Sequence, residues 1–62
     1  MYCVFCYSDE KWVKGIRNNA IVYSNNKFDA LKFPDLITAT YFVIVLERLY
    51  PDVYFRVFPF NE

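Results

Sequence analysis

Pro34 to Pro51 reads PDLITATYFVIVLERLYP, and the architecture of the whole chain turns on whether this run is a helix or a strand. Proline suits the first turn of a helix, and an aspartate directly after it favours the positive end of the helix dipole. These signals predict a helix that starts at Pro34-Asp35, runs to about Leu49 or Tyr50, and stops before Pro51. Thr, Val and Ile are poor intrinsic helix formers, so tertiary packing must hold the run helical. A strand is the main alternative. At about 100° per residue, Ala39, Phe42, Val43, Val45, Leu46, Leu49 and Tyr50 gather on one wide side, which is expected to face a sheet. The other side carries Ile37, Thr40, Tyr41, Ile44, Glu47 and Arg48. Two isoleucines and a tyrosine there exceed what solvent requires.

The flanking segments supply that sheet. Tyr2 to Tyr7 is aromatic and β-branched without a breaker, and reads as a central strand covered on both faces. Ser8 to Lys11 is a polar turn. Trp12 to Arg17 is a second strand, with Gly15, the only glycine, as the mark of a bulge. Asn18-Asn19 suits a tight hairpin turn because asparagine tolerates positive φ. Ala20 to Ser24 is the third strand. Lys27 to Phe33 reads as a loop with a short extended piece at Ala30 to Lys32. Pro51-Asp52 turns the chain into a last strand, Val53 to Phe60, ended by Pro59. Its core set is Val53, Phe55 and Val57, alternating with Tyr54, Arg56 and Phe58. The expected fold is one α+β domain over 1–62, a small mostly antiparallel sheet in β-β-β-α-β order with one helix on one face.

Hydrophobic residues make up 56% of the 62 residues. A chain this short cannot hide that much apolar surface alone, so part of it is expected at an interface, in a homodimer or against a protein partner. The formal net charge is zero, which argues against a nucleic-acid footprint and against an acidic DNA mimic. The longest apolar run, Leu36 to Leu46, is about half the length of a membrane span. The N-terminus shows no basic, apolar leader pattern. The expectation is therefore a cytoplasmic protein with reduced thiols and no membrane association.

Cys3 and Cys6 form a C-x-x-C. A structural zinc site needs four ligands, and this chain has two cysteines and no histidine. In a strand, residues three apart point to opposite faces. Such a pair could neither share a metal nor close a disulfide within the chain. Buried structural thiols are expected, with no metal and no cofactor. Catalysis is not expected either. General acid–base work most often uses histidine, and no glycine-rich phosphate loop occurs. The carboxylates fall in turns or at helix positions.

Two surfaces remain as candidate sites. The helix stripe Ile37, Tyr41, Ile44 and Arg48 has the residue types and spacing of a docking surface. Tyr54, Arg56 and Phe58, beside Tyr2 or beside Cys3, Phe5 and Tyr7, form the second choice. They could stack bases, with phosphate contacts from Lys11, Lys14, Arg17 and Lys32.

The layout resembles small phage-encoded accessory and inhibitor proteins of the host-takeover, anti-CRISPR or anti-defence type. The resemblance spans Trp12 in the first hairpin, the DALKF run Asp29 to Phe33 before the helix, and the closing VYFRVF, Val53 to Phe58. It implies a non-catalytic domain that binds and blocks a larger host protein in the host cytoplasm. The acidic surface of many such inhibitors is missing here, which sets nucleic-acid mimicry aside. A single-stranded nucleic-acid binder and a self-associating structural subunit stand as alternatives.

Overall fold

The computed structural model describes residues 1–61. Its elements are β1 (Tyr2–Cys6), β2 (Lys11–Arg17), β3 (Ala20–Ser24), a short 3-10 turn (Lys27–Asp29), α1 (Leu36–Leu49) and β4 (Phe55–Pro59). The strands form one four-stranded sheet in the order β3-β2-β1-β4, with antiparallel pairing throughout. The run from Leu36 to Leu49 is thus a helix, and the chain is an α+β domain in β-β-β-α-β order.

Local chemistry explains the elements. Asn18 and Asn19 have φ of 52° and 61° and sit between the paired residues Arg17 and Ala20, so they form a two-residue hairpin loop with both φ positive. The β2–β3 register shifts between Val13 and Gly15, which is the bulge expected at the glycine. Asp35 caps α1, its carboxylate accepting from the Thr38 N–H at 2.7 Å. That bond holds the Asp35 carboxyl below its usual range, because it favours the charged form. At the far end, the Tyr50 hydroxyl donates to the Asn19 carbonyl at 2.8 Å. This ties the end of the helix to the β2–β3 hairpin.

The inner face of α1 is narrower than the sequence implies. Ala39, Val43 and Leu46 are buried against Val4, Cys6, Val13, Phe33 and Phe55, with Phe42 and Tyr50 packed at the margin. Val45 and Leu49, expected inside, are 39% and 60% exposed. They stand about 100° and 60° around the helix from Leu46. The helix lies across β1 and β4, a support too narrow to cover so wide a side. Fully burying a side chain such as Leu46 stabilises the fold by about 1.5–3 kcal/mol.

The last strand begins at Phe55 rather than Val53, so Val53 and Tyr54 lie ahead of it. Its alternation is as expected. Phe55 is buried toward α1, with Val53 and Val57 packed against the same cluster, while Arg56 is exposed.

The opposite face of the sheet has a small core of its own. Cys3, Ala30 and Phe60 are buried there, with Trp12 and Phe58 packed against them. The segment after β3 supplies the cover. β1 pairs with β2 only at Phe5↔Trp12 and Cys6↔Lys11. Where the two strands part, Leu31 to Phe33 fills the gap. The Leu31 N–H donates to the Val13 carbonyl at 3.0 Å, and Phe33 exchanges bonds of 2.8 and 2.9 Å with Tyr2. Ladder groups that would otherwise lack partners are paired this way.

Candidate interaction surfaces

The outer face of α1 follows from what the inner face leaves over. Three residues satisfy the core, and the stripe on the other side keeps bulky apolar groups in water. Ile37 is 82% exposed, Tyr41 62% and Ile44 47%, and Arg48 is exposed beside them. The four positions therefore come together as one continuous stripe. Leu36, Val45 and Leu49 extend it to both sides, an enlargement that the sequence reading missed. The signal was present in the run of apolar residues, which is too wide for any one sheet to cover.

Two shallow, open hollows lie on this face. A groove of about 410 Å³ is lined by Phe33, Ile37, Thr38, Tyr41, Phe42 and Val45. The Phe33 and Phe42 rings form one wall, with centroids 5.0 Å apart. A second groove of about 340 Å³ lies among Leu36, Ile37, Thr40, Tyr41 and Ile44. Ile37 and Tyr41 line both, so they form a ridge between two apolar hollows. Such relief can accept side chains from a facing helix.

The second surface is the aromatic end of the far sheet face. Phe5 sits at its centre, with ring centroids 4.7 Å from Trp12, 5.2 Å from Tyr7 and 6.1 Å from Phe58, all edge to face. The Lys27 ammonium lies 5.3 Å from the Trp12 ring centroid, within cation–π range. Arg56 pairs with Phe5 in register. Among the residues expected here, Arg56, Phe58, Phe5 and Tyr7 come together. Tyr54 lies just ahead of β4 but continues its pairing: its carbonyl accepts from the Tyr7 N–H at 2.9 Å, and its own N–H donates to Ser8 Oγ at 3.1 Å. Trp12 and Lys27 were not foreseen at this surface, because their placement depends on cross-strand register and on the loop after β3. Lys32, expected to be available for phosphate, instead donates to the carbonyls of Phe28 and Ala30. Its ammonium also lies 4.8 Å from the Phe60 ring centroid.

The two cysteines separate as strand geometry requires. Cys6 lies in the cluster beneath α1 and Cys3 in the cluster on the opposite face. Both are fully buried free thiols. Burial pushes the Cys3 thiol up, which keeps it protonated at neutral pH. Cys6 Sγ lies 3.9 Å from Asp9 Oδ2. Tyr23, close to both, has its phenol raised well above the ordinary value, first by burial and then by these neighbours.

Other polar groups between β3 and α1 serve local structure. Asp29 accepts from Ser24 Oγ at 3.1 Å, and Asn26 Oδ1 accepts from the Phe28 N–H at 2.9 Å. Among the described residues, no three His, Cys, Asp or Glu side chains gather into a ligand set. Nor, among the described residues, is any helix long and apolar enough to cross a membrane.

Comparison with protein-family models, with curated proteins and with solved structures gives no match. The class that the fold defines is a one-helix, four-stranded α+β domain with an exposed apolar helix face.

Proposed function

We propose that this chain is a non-catalytic protein-binding module that docks through the outer face of α1. One observation carries the reading. Ile37 and Tyr41 stand exposed as a ridge between two apolar grooves, with Ile44 exposed beside them, on a helix whose other side already completes the core. A contiguous apolar patch rimmed by polar groups is the usual mark of an interaction site. Tyr41 and Arg48 are of the residue types that dominate binding energies. The resemblance of layout gives the proposal its biological form, a small accessory protein of phage type. In that form it acts in the host cytoplasm by binding and inhibiting a host protein.

The aromatic sheet face supports the nucleic-acid alternative less well. Its rings are engaged edge to face with one another, where base stacking needs open ring faces. Net charge is zero, so the electrostatic attraction that dominates such binding is weak.

Site-specific photo-cross-linking in the expressing cell tests the proposal. A benzophenone side chain replaces Tyr41, or Asp52 as a control in the exposed turn before β4. The expected result is a discrete adduct at position 41, lost when Ile44→Asp is added and not formed from position 52. Absence of any adduct at position 41, or equal yield from both positions, rejects docking through this face.

A further inference from the structure

Away from the helix face, we propose that the open sheet edge, β3, pairs with β3 of a second copy of this chain. The two strands run antiparallel about a two-fold axis at Val22, and the two sheets continue as one. Unpaired backbone groups and the placement of charge along the strand select this partner and this direction.

The backbone comes first. β3 ends the sheet. Asn18 and Asn19 close a two-residue hairpin loop, so Arg17 and Ala20 exchange ladder bonds, and bonded pairs alternate with unbonded ones from there. Gly15↔Val22 is then a bonded pair and Ile16↔Ile21 an unbonded one. The N–H and C=O groups of Ile21 and Tyr23 therefore point away from β2. Among the described residues, no turn or loop bonds to them. Edge strands are usually guarded by charge or proline. β4, the opposite edge, carries Arg56 and Pro59, whereas β3 reads AIVYS and carries neither. An antiparallel copy centred on Val22 sets Ile21 against the partner's Tyr23, and each of these open groups gains a partner. The strand is its own complement, as a two-fold interface demands.

The side chains agree. Ile21 and Tyr23 pack toward the cluster under α1, so each new pair there is β-branched on aromatic, a favourable cross-strand combination. The helix lies over β1 and β4, clear of this edge. Ala20, Val22 and Ser24 fall on the far face, where small Ala20 meets the partner's Ser24.

Charge on the far face is polarised along the strand. Arg17 and Lys14 share a hollow with Val22 near the hairpin turn. Asp29 stands at the other end, accepting from Ser24 Oγ at 3.1 Å. The neighbouring Lys27 ammonium donates to the Pro59 carbonyl. Antiparallel pairing lays the partner's Ala20 beside Ser24 and the partner's Arg17 one strand further on, about 10 Å from Ser24. That arginine meets Asp29, and the contact repeats across the axis. Parallel pairing would bring like ends together, and a strand of uniform charge would be repelled at one end or the other.

Sedimentation of the full chain across a concentration series tests this. The expected mass rises from 7.5 kDa to twice that value. Arg17→Glu should weaken pairing about tenfold, and adding Asp29→Lys to the same chain should restore most of it, while far-ultraviolet circular dichroism shows the fold intact. Register is tested by mild oxidation of Val22→Cys and Ser24→Cys chains. The axis places the two position-22 Cα atoms about 4.5 Å apart, within disulfide range, and the two position-24 atoms about 13 Å apart. Cys3 and Cys6 are buried and do not compete. A linked dimer should therefore form from position 22 and not from position 24. A monomer at every concentration overturns the proposal, as does a dimer indifferent to Arg17→Glu. Equal linkage from both positions indicates a parallel pair, and a dimer lost with Ile44→Asp instead indicates pairing through α1; either result also overturns it.

Discussion

The inner and outer faces of α1 are both apolar, yet they are built differently. Inside stand Ala39, Val43 and Leu46, two of them small, fitted against β1 and β4. Outside stand Ile37, Tyr41 and Ile44, larger and exposed. Hydrophobicity alone therefore does not assign the faces. Ala39 marks the inner one, because a small residue there lets the helix axis approach the sheet, whereas a bulky one would hold it off. The comparison teaches that a small sheet leaves large apolar groups exposed on the far side of its helix, and the proposed docking rests on that surplus.

The largest test of the difference lies inside. Leu46→Ala should cost about 2–5 kcal/mol, since the cavity it leaves adds to the lost transfer energy. Denaturant melts would show it. A cost below about 1 kcal/mol would mean that the inner face is not the principal core contact. Overfilling the same face comes next. Ala39→Leu should destabilise by about 1–3 kcal/mol, because a fully packed site has no room for the added groups. A neutral result there would break the argument from size.

One position away, Thr40 faces outward and should respond to helix propensity alone. Thr40→Ala is expected to raise stability by about 0.5 kcal/mol when measured at low concentration. A loss of that size would place Thr40 in a packed environment.

The cap contributes through pH. The folded Asp35 carboxyl lies below its ordinary value, so its contribution is present above the unfolded pKa and is lost as pH falls through the folded one. Asp35→Asn keeps a capping side chain but removes the charge. The wild-type advantage over Asp35→Asn at neutral pH should therefore begin to fall near the unfolded value of about 4 and disappear only below the folded one. A difference that persists into acid would assign the effect to something other than ionisation.

Much of this architecture was legible in the residues. Asp35 announced the helix start, Pro51 its end, Asn18-Asn19 the hairpin, and Gly15 the bulge. These are local signals, each set by φ, capping chemistry or a missing side chain. The parts that were not legible depend on distant segments meeting. The short β1–β2 pairing, and the insertion of Leu31 to Phe33 where the strands part, leave no periodic trace in either strand. The same is true of the cover that Ala30 and Phe60 give to Cys3. The aromatic face shows the consequence. Phe5 and Phe58 could be assigned to it from alternation, whereas Trp12 joins only through its register opposite Phe5. On α1 the stripe from Ile37 to Arg48 was readable from the helical period. The outward turn of Val45 and Leu49 was not, because it depends on how much sheet lies beneath them.

The central claim is that the outer face of α1 is a contact surface and the inner face a core. Backbone amide chemical shifts of the labelled chain at one concentration, alone and in extract of the expressing cell, test it most directly, since they report each residue separately. The account predicts changes confined to Ile37, Tyr41, Ile44, Arg48 and the rims of the two grooves, with the amides of β2 and β3 unmoved. Changes centred on the β3 edge or on the aromatic sheet face, or no changes in the extract, would contradict it.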